Sequence, residues 1–338
     1  MSELFSQAEP QHLERIELRN FTVFEQAALD LVAGLNVIVG ANATGKTHLL
    51  RAIHAGTRKD SPAQERLLKT FGADSPRQLL RWGADTGRLT LSWTVARWDV
   101  ALKEGAVEPV SQHGDLPASV FVPLREWLSL ASRLAGLQVA DYDLGLDGAT
   151  RDHLRALLVG LNSVDEGLVQ AIETTLVQHL EGELRQKSGG DFYLQVGQHP
   201  LEVQLAAEGM RKLWSLVHLV RTGHIRKGTV LLWDEPTSDL NPALSTLVVE
   251  TLKTLVQGGV QVVLTTHDYV LATRLTFLSE YPDEPPLPVR FFACHRSTLQ
   301  APAQVEATDR FTRLSHNPLV AEFARLWEDE MKADWKRP

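Results

Sequence analysis

Three short stretches of this chain carry residue types at spacings that suit phosphate chemistry. Gly40-Ala41-Asn42-Ala43-Thr44-Gly45-Lys46-Thr47 matches the pattern G-x-x-x-x-G-K-[ST] in full. Glycines let such a loop curl so that successive backbone N–H groups point at one centre, and the helix that follows adds its positive end. Lys46 supplies a charge for β- and γ-phosphates, and the Thr47 hydroxyl is a ligand for Mg²⁺. His48, next along that helix, completes the binding set. The cofactors read from this loop are therefore ATP and Mg²⁺.

The second stretch is Thr229-Val230-Leu231-Leu232-Trp233, an apolar run that closes on Asp234-Glu235-Pro236. In a parallel sheet, ligands bind beyond the carboxyl ends of the strands. Asp234 there can hold Mg²⁺ through its water shell, and Glu235 can take a proton from an attacking water. Trp233 reads as a core residue. The third stretch is Val262-Val263-Leu264-Thr265-Thr266-His267, again an apolar run ending in a polar group, one crossover after the second. A neutral imidazole at position 267 can bond to a γ-phosphate or orient the water. A fourth candidate is Gly209, at the start of a predicted helix, where exposed N–H groups favour an anion.

These groups need a scaffold, and the patterning supplies one. Residues 13–24 alternate like a strand that ends in a turn, and Leu35–Val39 is a short β-branched run leading into Gly40. Residues 60–83 read as helical, Arg88–Ala96 and Ser119–Val122 as strands, and 128–187 as a helical lobe. Within that lobe Leu168, Ile172, Leu176, Leu180 and Leu184 recur every four residues as one helical stripe. Asp191–Leu205 reads as a hairpin, Gly209–Arg221 as a helix, Pro282–Pro288 as a loop and Asn317–Trp335 as a terminal helix. Strands alternating with helices imply an α/β fold, a mostly parallel sheet flanked by helices. The expected division is an ATPase core of residues 1–127 and 188–338 with a helical insertion at 128–187.

Composition narrows the function. Apolar residues make up 43% and charged residues 22% of the 338, as in ordinary globular proteins. The formal net charge of −8 has the wrong sign for non-specific wrapping of nucleic acid. A single cysteine, Cys294, makes no internal disulfide and fits a reducing, cytoplasmic setting. The polar start and the lack of a long apolar run predict a protein without direct membrane insertion.

GANATGKT, AAEGMRK, LLWDEP, SDLNP and TTHD occur in the order found in ABC-type ATPases. More closely, LRNFTVF, GLNVIVGANATGKT and FVPLREWLSL resemble the RecF/SMC/OLD-like branch, whose stand-alone bacterial members are called AAA-type ATPases. The resemblance implies a P-loop NTPase of ABC type with an antiparallel β segment. It also implies a homodimer formed on ATP binding, each nucleotide lying between one P-loop and the signature helix of the other subunit. Glu235 would be the base, His267 the γ-phosphate sensor, Gly209 the contact in trans, and Asp239 the link between sites. Ala207 stands where the family usually has a signature serine, and Glu126 is the nearest candidate for the family's Q-loop glutamine.

Three roles compete: a switch in DNA maintenance or phage defence acting with a nuclease or other effector, the nucleotide-binding subunit of a transporter, and a slow-turnover regulatory module. The long stretch between Lys46 and Gly209 and the lack of LSGGQ favour the first. Arg211, Lys212, Arg221, Arg226 and Lys227 gather near one predicted helix, where they form either a DNA contact or a solvated face.

Overall fold

The computed structural model describes residues 11–334 apart from 60, 135–144, 162, 178, 181, 188–189 and 282–285. Strands β1 (Leu13–Phe21), β2 (Phe24–Asp30) and β3 (Leu35–Gly40) lead into helices α1 (Lys46–Thr57) and α2 (Ala63–Phe71). Then come β4 (Thr86–Trp93), β5 (Arg97–Lys103), β6 (Val107–His113) and β7 (Ser119–Val122). Helices α3 (Leu128–Leu134), α4 (Gly148–Leu158) and α5 (Glu166–Val177) precede β8 (Glu183–Gln186), β9 (Phe192–Val196), β10 (His199–Glu202) and α6 (Glu208–Arg221). The order ends with β11 (Val230–Asp234), α7 (Ser245–Gln257), β12 (Gln261–Thr266), α8 (Tyr269–Glu280), β13 (Val289–His295), β14 (Gln304–Thr308) and α9 (Pro318–Asp334).

The central sheet has the order β14-β13-β3-β12-β11-β7, parallel except for β14. Strands β3, β12 and β11 are buried throughout and mostly apolar because both faces are covered, and the period of two sorts their side chains between two cores. Val37, Trp233, Leu264 and Phe291 join one apolar cluster with α6 and α7, whereas Ile38, Leu232, Val263 and Phe292 join the other with α1. The second cluster is closed by an antiparallel sheet of order β2-β1-β4-β5-β6. Gln261, buried at the start of β12, ties the two sheets together. Its side-chain oxygen accepts the Leu13 N–H at 2.8 Å, and its amide donates to the carbonyls of Leu13 and Val32, each at 2.8 Å.

Two expectations change. Residues 60–83 are not one helix: α2 ends at Gly72, a left-handed cap at φ 64°, and a 3₁₀ turn opens at Pro76. The four-residue stripe outruns its helix, for α5 ends at Val177 and Leu184 lies on β8. All five stripe residues are nonetheless buried. From the described part of 128–187, Leu154, Leu168 and Ile172 join the cluster that holds Trp214, Leu231 and Val248, on the parallel sheet's own core. The hairpin over 191–205 is present as β9–β10, with β8 as its third strand. The predicted loop at 282–288 and the end of the terminal helix fall partly outside the described residues. No helix among the described residues is long and apolar enough to cross a membrane.

Candidate active site

The carboxyl ends of β3, β11 and β12 meet at one cleft of about 370 Å³. Residues 42–48 form one wall, with Asp234, Glu235 and His267 opposite. Gly40 and Ala41 lie just behind the wall. Gly40 is a glycine for a steric reason: at its φ of 157° a Cβ would come 2.4 Å from the Cys294 carbonyl oxygen of β13. Gly45, at φ 96°, is pressed against the β1–β2 turn, and a Cβ there would meet Val23 and Phe24 at 2.6 Å. Ala43 also takes a left-handed conformation at φ 63°, and the Thr44 hydroxyl bonds to the Ala41 carbonyl at 2.8 Å. The curl therefore persists as a preformed loop.

Lys46 turns its ammonium into that loop, donating to the carbonyls of Gly40 (2.7 Å) and Ala41 (3.2 Å). Its nearest carboxylate is Glu235, at 4.0 Å. Thr47 donates to Asp234 at 2.9 Å, and Thr265 donates to the other Asp234 oxygen. Burial pushes the Asp234 carboxyl above the usual range, opposed by these two hydroxyls. A hydroxyl and a carboxylate in contact are hard oxygen donors suited to a small divalent cation, so the residues fit Mg²⁺. The cleft volume suits a nucleotide.

Glu235 adopts φ 53°, a left-handed conformation that costs a non-glycine residue about 1–3 kcal/mol. The Thr265 carbonyl holds it there through the Glu235 N–H at 3.1 Å. One carboxylate oxygen accepts the His267 N–H at 2.9 Å, and the other lies 2.8 Å from His267 Nδ1. The imidazole remains more than half exposed at the mouth of the cleft. His48 packs against Phe71 with its ring centre 5.8 Å away. Burial first, then Arg51 and Arg296, lowers its pKa to about 4, so the ring stays neutral.

Gly209 is not in this cleft. It opens α6, and a Cβ there would meet Leu240 at 2.5 Å and the Asp239 carbonyl at 2.7 Å. Ala207 caps that helix without any side-chain hydrogen bond, so the first-turn N–H groups lack the acceptor a serine would offer. Asp239, at φ 66°, is fixed by Lys212, whose ammonium reaches its carboxylate at 3.2 Å and the Ser238 carbonyl at 2.9 Å.

Two sequence candidates are corrected. Glu126 does not face the cleft: it is buried, pairs with Arg211 at 2.8 Å, and accepts the Ser129 N–H at 2.8 Å. Leu124 lines the cleft instead. Three of the five residues of the basic cluster are also taken up within the chain: Arg211 pairs with Glu126, Lys212 with Asp239 and Arg221 with Glu173 at 2.6 Å. Residues that sequence reasoning missed are Thr265, Val23 and Arg296. Thr265 stood within the TTHD stretch, whereas Arg296 lies in no motif.

Several known proteins are similar to this chain. Residues 131–273 match the family model "AAA domain, putative AbiEii toxin, Type IV TA system", and residues 15–80 match an AAA domain model. A DNA replication and repair protein RecF of Lysinibacillus sphaericus is 27% identical over 111 residues, 33% of this chain and 23% of the relative. The RecF of Lactococcus lactis subsp. cremoris (strain MG1363) is 29% identical over 130 residues, 38% of this chain and 29% of the relative. The chain thus aligns with about a quarter of the length of these relatives. Among solved structures, an Smc head bound to the C-winged helix domain of ScpA superposes with a TM-score of 0.59 at 13% identity, covering 88% of this chain and 97% of that one. The Smc head domain of Pyrococcus furiosus with an extended coiled coil gives 0.53 at 12% identity over 95% of this chain and all of that one. These likenesses describe the fold. The RecF and AAA matches support an ABC-type ATPase of the RecF/SMC branch.

Proposed function

We propose that the chain binds Mg-ATP in the cleft beside residues 40–48 and hydrolyses it there. The observation that carries this reading is the convergence of Lys46, Thr47, Asp234, Glu235 and His267 from separate strand ends onto one cleft. Thr47 and Asp234 would hold Mg²⁺, which when bound neutralises charge between the β- and γ-phosphates. Lys46 exchanges its loop carbonyls for phosphate oxygens. Glu235, already oriented by His267 and by its strained backbone, accepts the proton of the attacking water, and His267 swings to the γ-phosphate from its exposed position.

We further propose that ATP closes a homodimer in which Gly209 and its helix start complete the partner's site, with Asp239 between the two. Its position outside its own cleft supports this arrangement. The RecF relatives are named for DNA replication and repair, which supports a cytoplasmic role in DNA maintenance over the transporter reading. Work in phage defence, with a nuclease or other effector as partner, belongs to the same proposal. Any DNA contact lies away from the paired Arg211, Lys212 and Arg221. The uncapped Ala207 favours slow turnover.

Glu235→Gln tests the chemistry. Turnover falls by about a thousandfold while ATP binding persists and dimers accumulate. Hydrolysis at the parent rate in a steady-state assay would place the base elsewhere.

A further inference from the structure

The sheet order gives the cleft two flanks. Asp234, Glu235 and His267 come from β11 and β12, on one side of the β3 end, whereas β13 lies on the other side. The last residues of β13 abut the phosphate loop, Cys294 being paired in register with Gly40. Two residues further on, Arg296 lines the cleft beside His48 and Val23. The segment after it returns to the β1–β2 turn, where Ala303 donates to the Val23 carbonyl at 2.9 Å. Val23, held against Gly45, therefore offers an apolar surface on the same flank as the guanidinium.

Arg296 is half-buried, and its hydrogen bond goes to the Leu299 carbonyl at 3.0 Å, within its own turn. Among the described residues no carboxylate pairs with it, unlike Arg211, Lys212 and Arg221 across the molecule. A guanidinium presented to a cleft with only a carbonyl for partner is suited to a phosphate oxygen or the face of a base.

We infer that Arg296, with Val23 beneath it, holds the nucleoside end of the nucleotide, contacting the α-phosphate and the base above it. This rests on the ATP-site reading. If the terminal phosphate lies at Lys46, Glu235 and His267, then the rest of the nucleotide crosses Thr47 and His48 toward β13. The α-phosphate and base are common to ATP and ADP, so Arg296 adds affinity without discriminating between the two.

Calorimetric titration of the full chain with ATP and with ADP, each with magnesium, tests this. Arg296→Ala weakens both by about tenfold and leaves their ratio unchanged. Arg296→Lys, which keeps the charge but loses the planar fork, recovers part of the loss. Melting of the nucleotide-free variant at the parent temperature excludes damage to the 296–303 turn as the cause. Unchanged affinity for both nucleotides overturns the inference. So does weakening of ATP alone, which would put Arg296 at the γ-phosphate. Failure of the parent chain to bind either nucleotide would instead overturn the ATP-site reading, and the inference with it.

Discussion

The cleft and the corner around Gly209 are both rich in charge, yet they use it in opposite ways. In the cleft, Lys46 has only loop carbonyls at bonding distance, Asp234 is held by two hydroxyls, and His267 is open to solvent. At the corner, Arg211 and Lys212 are closed off by Glu126, Asp239 and Ser238 within the same chain. The first region keeps its charges available for a ligand, and the second uses them to lock α6 against the loop after β11. Proximity of basic residues in sequence is thus a poor guide to anion binding. What decides is whether a carboxylate of the same fold already occupies them.

Several substitutions sharpen or break this contrast. Beyond the thousandfold loss of turnover expected of Glu235→Gln, Lys46→Ala weakens ATP by about a hundredfold in calorimetry. It leaves the melting temperature of the free protein unchanged. Unaltered affinity would show that the loop does not grip the phosphates. Glu126→Ala does the reverse: it strands a half-buried guanidinium and lowers stability by about 3 kcal/mol in denaturant melts, with nucleotide affinity kept. A variant that melts normally but no longer responds to magnesium would return Glu126 to the metal side.

Gly209→Ala forces a methyl group against Leu240 and the Asp239 backbone, and a loss of about 2 kcal/mol follows. Monomers of this variant still bind ATP, and light scattering reports fewer ATP-dependent dimers. Dimers at the parent level would remove Gly209 from the interface. A further effect is acid sensitivity at the other end of α6. His218 on α6 donates to the Leu157 carbonyl at 2.9 Å, and burial lowers its pKa to about 4, while burial lowers that of His153 to about 3. Both rings stay neutral in the fold but bind protons below about pH 6.5 once unfolded. Stability therefore falls as pH drops from about 6.5 toward 4, by up to about 2 kcal/mol per ring at pH 5. His218→Gln flattens part of that dependence, and an unchanged slope would mean that His218 is charged in the fold.

Much of the parallel sheet could be read from the sequence because its strands are buried on both faces and appear as plain apolar runs. The cleft was legible for the same reason, since each functional group sits at the end of such a run. The antiparallel sheet was less so. β6 buries only Val107 among its seven residues, and β14 has no fully buried residue, so neither edge strand leaves an apolar imprint. Arg296 escaped because its role depends on the pairing of β13 with β3, a long-range contact that no local pattern encodes. The pairing of Arg211 and Arg221 was not legible because Glu126 and Glu173 are distant in sequence.

The amide of Gln261 has a further consequence. All three of its bonds go to main-chain atoms, so the joint between the two sheets is indifferent to which side chains residues 13 and 32 carry. Position 261 thus decides this polar tie, while Leu13 remains constrained by its own burial in the core that the two sheets share. An isosteric thioether there would remove the tie while keeping the shared apolar cluster, giving an engineer one handle on mechanical coupling at the opposite end of β12 from His267.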